Sequence, residues 1–421
     1  MKQLARTWAR RPEVWQVLAS GDGAWAFWTG KGDHGRDVFC APLTVAPSKA
    51  PFTALPSTAL LSGGHPEQLT FGPDHHDIRD VSGDGLRLIL GQSRNGSGHD
   101  HLLLLDRTLG NRLRLLTPKQ ERHHLRGGVF VSGGVIFASD ENGAPTLWRL
   151  DLTSARLEAL TALPCLPRTV QAGPGGILLA GDGLWLWDGA LRDLLAGVTK
   201  ATWIDATRIA VLGDRPGIVT LTGGVEWLEG RDIAAGHGRW ALTRTEEAPG
   251  FRPMAALPEG WLGVTRDPCA PPEVWADRRL DAATGPTLDP ADVTEFGPLW
   301  RPDAPKGLVV MPPDPAWTGF FTALGWAVIG PQADLAAALR ALDLPPRVCR
   351  IDGLTHLATG VIRIGPAPVP EDVPTLRVHF AHAPTRGRSP DLFLPDETST
   401  ITRPANLQAF FLRAAAFLET L

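Results

Sequence analysis

The residues whose types and order could do chemistry sit at positions 347–360, Arg-Val-Cys-Arg-Ile-Asp-Gly-Leu-Thr-His-Leu-Ala-Thr-Gly. A β-prone run from Arg347 to Ile351 enters a tight turn at Asp352-Gly353 and leaves into small residues. That is the outline of a nucleophile elbow, in which a sharp turn after a strand lifts a serine into a cleft. The pattern asks for G-x-S-x-G, and the chain offers Asp352-Gly353-Leu354-Thr355-His356, without a serine. Thr355 and His356 supply the one hydroxyl and the one imidazole within Asp352 to His356. Adjacent residues on a strand-turn point apart, so His356 is poorly placed to take the Thr355 proton. A threonine packed into a turn is the plainer reading.

The elements that would position this stretch can be read on either side of it. Gly307 to Met311 is a short continuous apolar run, as expected of a strand buried on both faces. Phe320 to Leu324 reads as a short helix and Trp326 to Ile329 as a second buried strand. Asp334 to Leu342 is Ala/Leu-rich with an acidic first turn, a helix pattern. Strands are predicted at Arg347 to Ile351, Val361 to Ile364, Thr375 to Phe380 and Asp391 to Leu394, with an amphipathic closing helix from Asn406 to Leu421. Such alternation predicts an α/β layer with a mainly parallel sheet over 286–421. Proline-rich Leu280 to Asp303 reads as the connecting strand and linker before it.

Upstream, the period is different. Short β-prone runs end in a Leu/Trp-Leu-Asp phrase at Leu103 to Asp106, Leu147 to Asp151, Leu184 to Asp188 and, more loosely, Val274 to Asp277. Turn-rich stretches such as Ser82-Gly-Asp-Gly85, Arg94 to Gly98 and Glu141-Asn-Gly143 separate them. Asn-Gly and Asp-Gly supply the positive φ that tight hairpins need. A hairpin theme returning every ~40 residues is the mark of an all-β propeller, here of about seven blades. It occupies 1–285, including a short N-terminal segment.

With 421 residues, two domains are the default. Apolar content of 43% and charge of 20% are ordinary for a soluble globular chain. A net charge of −4 gives no electrostatic reason to expect nucleic acid or an anionic membrane surface. No apolar run is long enough to span a bilayer, and Met1 to Arg11 lacks the apolar stretch of a signal peptide. Cys40, Cys165, Cys269 and Cys349 lie far apart with no C-x-x-C spacing, which points to a reducing cytoplasm rather than a zinc site or disulfide framework. Tyr is absent, so no phenol can serve as oxyanion donor or general acid. The pairs His75-His76, His99-Asp-His101 and His123-His124 carry no recognised metal-ligand spacing and read as solvated turn residues. The Trp residues of the blade-end phrases read as core packing.

A propeller followed by an α/β unit resembles the prolyl oligopeptidase (S9) serine peptidase family, in particular its acylaminoacyl-peptidase-like branch. Gln68-Leu-Thr70, Ser82 to Gly85 and Pro271-Pro-Glu-Val-Trp275 are similar to that family's propeller phrases. Leu324-Gly-Trp-Ala-Val-Ile-Gly-Pro331 resembles its G-Y-A-V-x-x-P strand. Val373-Pro-Thr-Leu-Arg-Val-His379 resembles V-P-T-L-x-I-H, and Thr402-Arg-Pro-Ala-Asn406 resembles the S-R-P-x-N segment that follows the catalytic histidine. The order of these matches spans nearly the whole chain.

The resemblance implies a Ser-Asp-His triad with an oxyanion loop, and each position departs from it. The serine falls on Leu354, or on Thr355 after a one-residue slip. The H-G-G-P oxyanion loop is replaced by Pro312-Pro313-Asp314-Pro315, whose prolines lack the N–H such a hole uses. The D-D-x-V-P acid loop reads Phe380-Ala-His-Ala-Pro-Thr-Arg386, and Ser399 stands where the histidine belongs. The second unit is also short for the family. These departures make the expected protein a truncated, catalytically inactive relative that binds peptides or a protein partner, without cofactor or metal. Two rivals stand beside it. One is a hydrolase of peptide or ester bonds with an unconventional site at Thr355, served by His356, His379 or His382. The other is a structural partner of an active relative, with an oligomer as a further option.

Overall fold

In a computed structural model of the chain, the description covers every residue except 33–34, 44–65, 72–73, 94–99, 118–123, 244–249, 267–268, 277–278, 281–285, 295–296, 313, 332–338, 341–342, 344–347, 352–359, 365–374, 381–391 and 395–403. The first part is a β-propeller. Six antiparallel sheets of three or four strands succeed one another, and a two-stranded hairpin, Asp232–Gly236 with Arg239–Thr243, stands between the fifth and the sixth. Their first strands are Val14–Ala19, His75–Val81, Leu125–Val131, Thr169–Gly173, Lys200–Trp203 and Gly250–Leu257. Val14–Ala19 packs against Gly250–Leu257 and closes the ring. The expectation of about seven blades is therefore adjusted to six of blade size plus the hairpin.

The repeated Asp of the sequence has a defined job. The phrase occupies the third strand of its sheet, in Asp100–Asp106 and Thr146–Asp151, and its Asp turns the chain into the fourth. Asp106 Oδ1 accepts the Thr108 N–H at 3.0 Å, and Asp151 Oδ1 accepts those of Thr153 and Ser154 at 3.0 and 2.7 Å. A short carboxylate that satisfies the backbone two residues on fixes the turn without help from the rest of the fold. Ser82 to Gly85 works alike between first and second strands: Ser82 Oγ accepts from Arg87 N–H and Asp84 Oδ1 from Leu86 N–H. The same four residue types recur at Ser20 to Gly23, and the two turns meet where Asp22 N–H donates to Gly83 O at 2.8 Å.

Side chains on the first strands stitch neighbouring blades together. Gln16 Oε1 accepts from Ile78 N–H (2.9 Å), Asp80 Oδ2 from Phe130 N–H (2.7 Å) and Gln171 Oε1 from Trp203 N–H (2.9 Å). Burial pushes the Asp80 carboxyl up to about 6 from 3.8, against the pull of its backbone donors. The folded protein thus holds this proton more tightly than the unfolded chain does. Its contribution to stability is fully present below about pH 4 and is lost as pH rises through about 6. Asp80→Asn keeps a carbonyl for Phe130 and discards the charge. It is expected to raise the melting temperature at neutral pH and to lose most of that gain by about pH 4, read by calorimetry across pH.

The histidine pairs correct the sequence reading. His76 and His101 are not solvated turn residues: they lie in strands and are 2% and 5% exposed. Strand register sets His76 opposite Gln92 and Gln92 opposite His101, so the three share the buried face of the second blade. Gln92 Nε2 donates to Asp74 Oδ2 at 3.0 Å, and His101 Nδ1 lies 3.1 Å from Thr117 O. Burial holds His76 below the usual imidazole range, hence neutral. His124 is exposed beside Asp140.

The second part is one eight-stranded sheet in the order Asp292–Thr294, Gly297–Trp300, Ala327–Ile329, Leu308–Val310, Val348–Ile351, Gly360–Ile364, Thr375–Phe380, Leu392–Leu394. Gly297–Trp300 runs antiparallel to both neighbours, and every other junction beyond it is parallel. Two of these strands come from the stretch read as a connecting strand and linker. Prolines suggested a connection there, but Pro298, the one proline inside either strand, comes before Leu299, where pairing with Ala327–Ile329 begins. The helices Pro315–Ala323 and Pro404–Thr420 cover the sheet, with Phe320, Phe321, Phe410 and Phe411 all fully buried.

A third helix, Lys2–Ala9, joins this core rather than the propeller it precedes in sequence. Its Ala5, Trp8 and Ala9 are buried among the same phenylalanines. Trp8 lies so close over Gly319 that a Cβ there would come within 2.0 Å of the ring. Arg11 then anchors the exit, its guanidinium donating to Ala270 O at 2.7 Å.

Candidate functional site

In an open α/β sheet, ligands bind beyond the carboxyl ends of the strands where strand order reverses. Here the chain passes from Leu308–Val310 to Ala327–Ile329 on one side, then to Val348–Ile351 on the other. The reversal falls between the ends of Leu308–Val310 and Val348–Ile351, where Val310 is in register with Arg350. Topology therefore sets the end of Leu308–Val310 beside the end of Val348–Ile351; residues 352–359, which follow the latter, lie outside the described residues.

The loop after Val310 is spoken for by its own helix. Asp314 is the N-cap of Pro315–Ala323, and its Oδ1 accepts the N–H groups of Ala316 and Trp317 at 2.9 and 3.0 Å. Met311 N–H donates to Ile329 O, and Thr318 N–H to Asp314 O. Pro312, Pro313 and Pro315 have no N–H to give. Among the described residues of 311–318, the main-chain donors that could converge on an oxyanion are thus committed, apart from that of Asp314 itself. An oxyanion hole needs free donors aimed at the developing charge. This loop does not present a pair of them.

The surroundings are charged. Lys31, whose side chain is 2% exposed, pairs with Glu13 at 2.9 Å on the first blade. Burial first, and Glu13 second, raise the Asp314 carboxyl above its ordinary range, while the Trp317 N–H and Lys31 pull it back. The sign follows: folding favours the protonated acid, so the charge is a burden that grows as pH rises past the unfolded value. Asp314→Asn, which still caps, is expected to match or exceed the parent's stability at neutral pH. Asp314→Ala is expected to lose about 1 kcal/mol, both read by urea denaturation.

Of the other positions singled out in the sequence, Leu354, Thr355, His356, His382, Ser399 and Pro313 lie outside the described residues. Pro312 is exposed two residues beyond Leu308–Val310. His379 stands in Thr375–Phe380, its backbone opposite Phe393. Among the described residues no three His, Cys, Asp or Glu side chains group as a metal site requires, and no helix is long and apolar enough to cross a membrane. The Asp314 cap was readable: Asp followed by Pro ahead of an apolar run is a helix-start signal.

With this geometry in hand, solved structures can be compared. The puromycin-hydrolyzing peptidase of Mycobacterium tuberculosis superposes with a TM-score of 0.64 at 12% identity, over 99% of this chain and 95% of its own. The fold is S9-peptidase-like. The acylaminoacyl peptidase of Pyrococcus horikoshii gives 0.57 at 11% identity, over 86% of this chain and 78% of its own. TolB from Acinetobacter baumannii matches at 15% identity with a TM-score of 0.38, and the chain spans only 52% of that protein. No protein-family model matches the chain, and no curated protein does. At such identities the S9-like likeness concerns architecture, a propeller joined to an α/β unit, and not chemistry.

Proposed function

We propose that this chain is a peptidase-like scaffold that has lost the Ser-Asp-His triad and holds peptides or a protein partner without cleaving them. The observation that carries the reading is the link between two central strands. Val348–Ile351 and Gly360–Ile364 are adjacent and parallel, and residues 352–359 are all that join them. A parallel crossover with its helix takes about a dozen residues or more. A nucleophile elbow needs that helix, and it also needs a serine, which 352–359 does not contain. The unit keeps eight strands but joins its later ones by short links, and we read it as a truncated α/β-hydrolase-like domain on that ground. The hairpin Asp232–Gly236 with Arg239–Thr243 takes a place of its own in the ring, and we count it as the inner half of a seventh blade. A reducing cytoplasm suits four cysteines that are all thiols, one of them, Cys40, pushed up to about 12 by burial.

The test is direct. Purified protein is incubated with a fluorophosphonate probe and with chromogenic acyl-aminoacyl substrates. No labelling and no turnover above a buffer blank are expected. Labelling that vanishes in Thr355→Ala would instead establish a hydrolase with an unconventional nucleophile.

A further inference from the structure

The hairpin is the one place in the ring where, among the described residues, a sheet stops at two strands. Asp232–Gly236 and Arg239–Thr243 are joined by a two-residue turn in which His237 and Gly238 both have positive φ, 50° and 76°. In such a hairpin the residues flanking the turn, Gly236 and Arg239, form a hydrogen-bonded pair, and the pairs alternate from there. Ala234 with Ala241 is hydrogen-bonded again. Trp240 and Leu242 therefore turn their main-chain N–H and C=O groups away from the inner strand, toward the open edge. Among the described residues no strand pairs with that edge.

The edge is also apolar for a surface. Trp240, on this strand, is 37% exposed, and Leu242 is half-buried. An unpaired strand of this kind invites another strand. We infer that the occupant is a second copy of this chain, pairing Arg239–Thr243 with itself in antiparallel fashion about a two-fold axis.

Three features of the strand fit a self-pair. Two hairpins laid edge to edge make a sheet of four strands, the size of five other sheets in the ring. With the axis at Ala241, Trp240 stands opposite Leu242 of the second copy, and these are the residues whose main-chain groups face outward, so the two new pairs are the hydrogen-bonded ones. The same register sets a small residue against itself at the axis and keeps position 239 opposite position 243, so the two Arg239 side chains do not confront each other. Aromatic-aliphatic pairs stabilise antiparallel strands and directly opposed like charges destabilise them. The contact is isologous, as a closed dimer requires.

The test uses the full chain. Sedimentation velocity from about 1 to 100 μM is expected to show a monomer-dimer equilibrium. Leu242→Pro removes a donor that faces only the open edge, and it is expected to give monomer with an unchanged far-ultraviolet spectrum. Ala241→Cys places two thiols across the axis at a non-hydrogen-bonded pair, a separation of about 4.5 Å between Cα atoms that suits a disulfide. It is expected to form a covalent dimer under mild oxidation where the parent and Glu226→Cys do not. Three results would each overturn the inference. One is a parent that stays monomeric throughout. Another is a dimer that survives Leu242→Pro while Ala241→Cys fails to cross-link. The last is a monomer that takes up an extended peptide at this edge instead.

Discussion

Phe411→Ala should cost about 3–5 kcal/mol, the largest loss expected of any single truncation in the α/β unit. Phe411 is fully buried and stacks on Phe320 with ring centroids 4.1 Å apart and planes within 10°. Trp317 meets it edge-on at 6.4 Å, and Phe410 tilts against it at 5.9 Å. Alanine would leave a cavity walled by rings, which cannot collapse easily, and stacked pairs are worth more than the area they bury. The Lys2–Ala9 helix rests on the same cluster, so its release should accompany the loss. Denaturant melts give the first quantity. Hydrogen exchange over residues 2–9 gives the second, and protection there equal to the parent's would disprove the shared core.

The second large effect is expected at the joint of the ring. Trp28 is 1% exposed, stacks with Phe39 at 6.0 Å, and sits among Val17, Ala26, Leu257, Leu262, Val264 and Val274. These residues come from the first sheet and the last. Among the described residues the first sheet draws on 14–68 and the last on 250–275, so no described strand crosses the joint and side chains pack across it. Trp28→Ala is expected to cost about 3–5 kcal/mol, and to do so unevenly. Exchange should quicken in Val14–Ala19 and Gly250–Leu257 before it does in Leu125–Val131 or Thr169–Gly173. A uniform rise around the ring would mean that the joint is no weaker than the other blade contacts.

Much of this architecture was legible wherever a local rule decided it. The Asp that ends a third strand fixes its own turn, so the repeat could be seen before any long-range contact was known. The short apolar runs at Gly307 to Met311 and Trp326 to Ile329 read as strands buried on both faces, and Leu308–Val310 and Ala327–Ile329 are such strands. What escaped depended on distance. Nothing in Lys2–Ala9 says that its partners are Phe320 and Phe411, since contiguity favours the propeller. The prolines of Leu280 to Asp303 left room for one connecting strand, where the sheet takes two, because sequence cannot show that Pro298 stands outside the pairing with Ala327–Ile329. His76 and His101 are ringed by turn-forming residues, and only register reveals that they face inward with Gln92. In the stretch singled out as a site, the absence of a serine from 352–359 can be read directly from the residues, as can the proline-rich loop. That Asp314 would claim the amides of Ala316 and Trp317 follows from a helix start beside it.

The docking of Lys2–Ala9 has a consequence for how the chain is made. That helix leaves the ribosome ahead of the propeller, while Pro404–Thr420, on which it rests, follows only after all of it. At ordinary rates of synthesis the wait is roughly 20 to 80 s. Through that interval Trp8 and its neighbours have no surface to lie on. The newborn chain therefore carries Ala5, Trp8 and Ala9 unburied through most of translation, and a segment this short gains its helix only when the closing helix arrives to receive it.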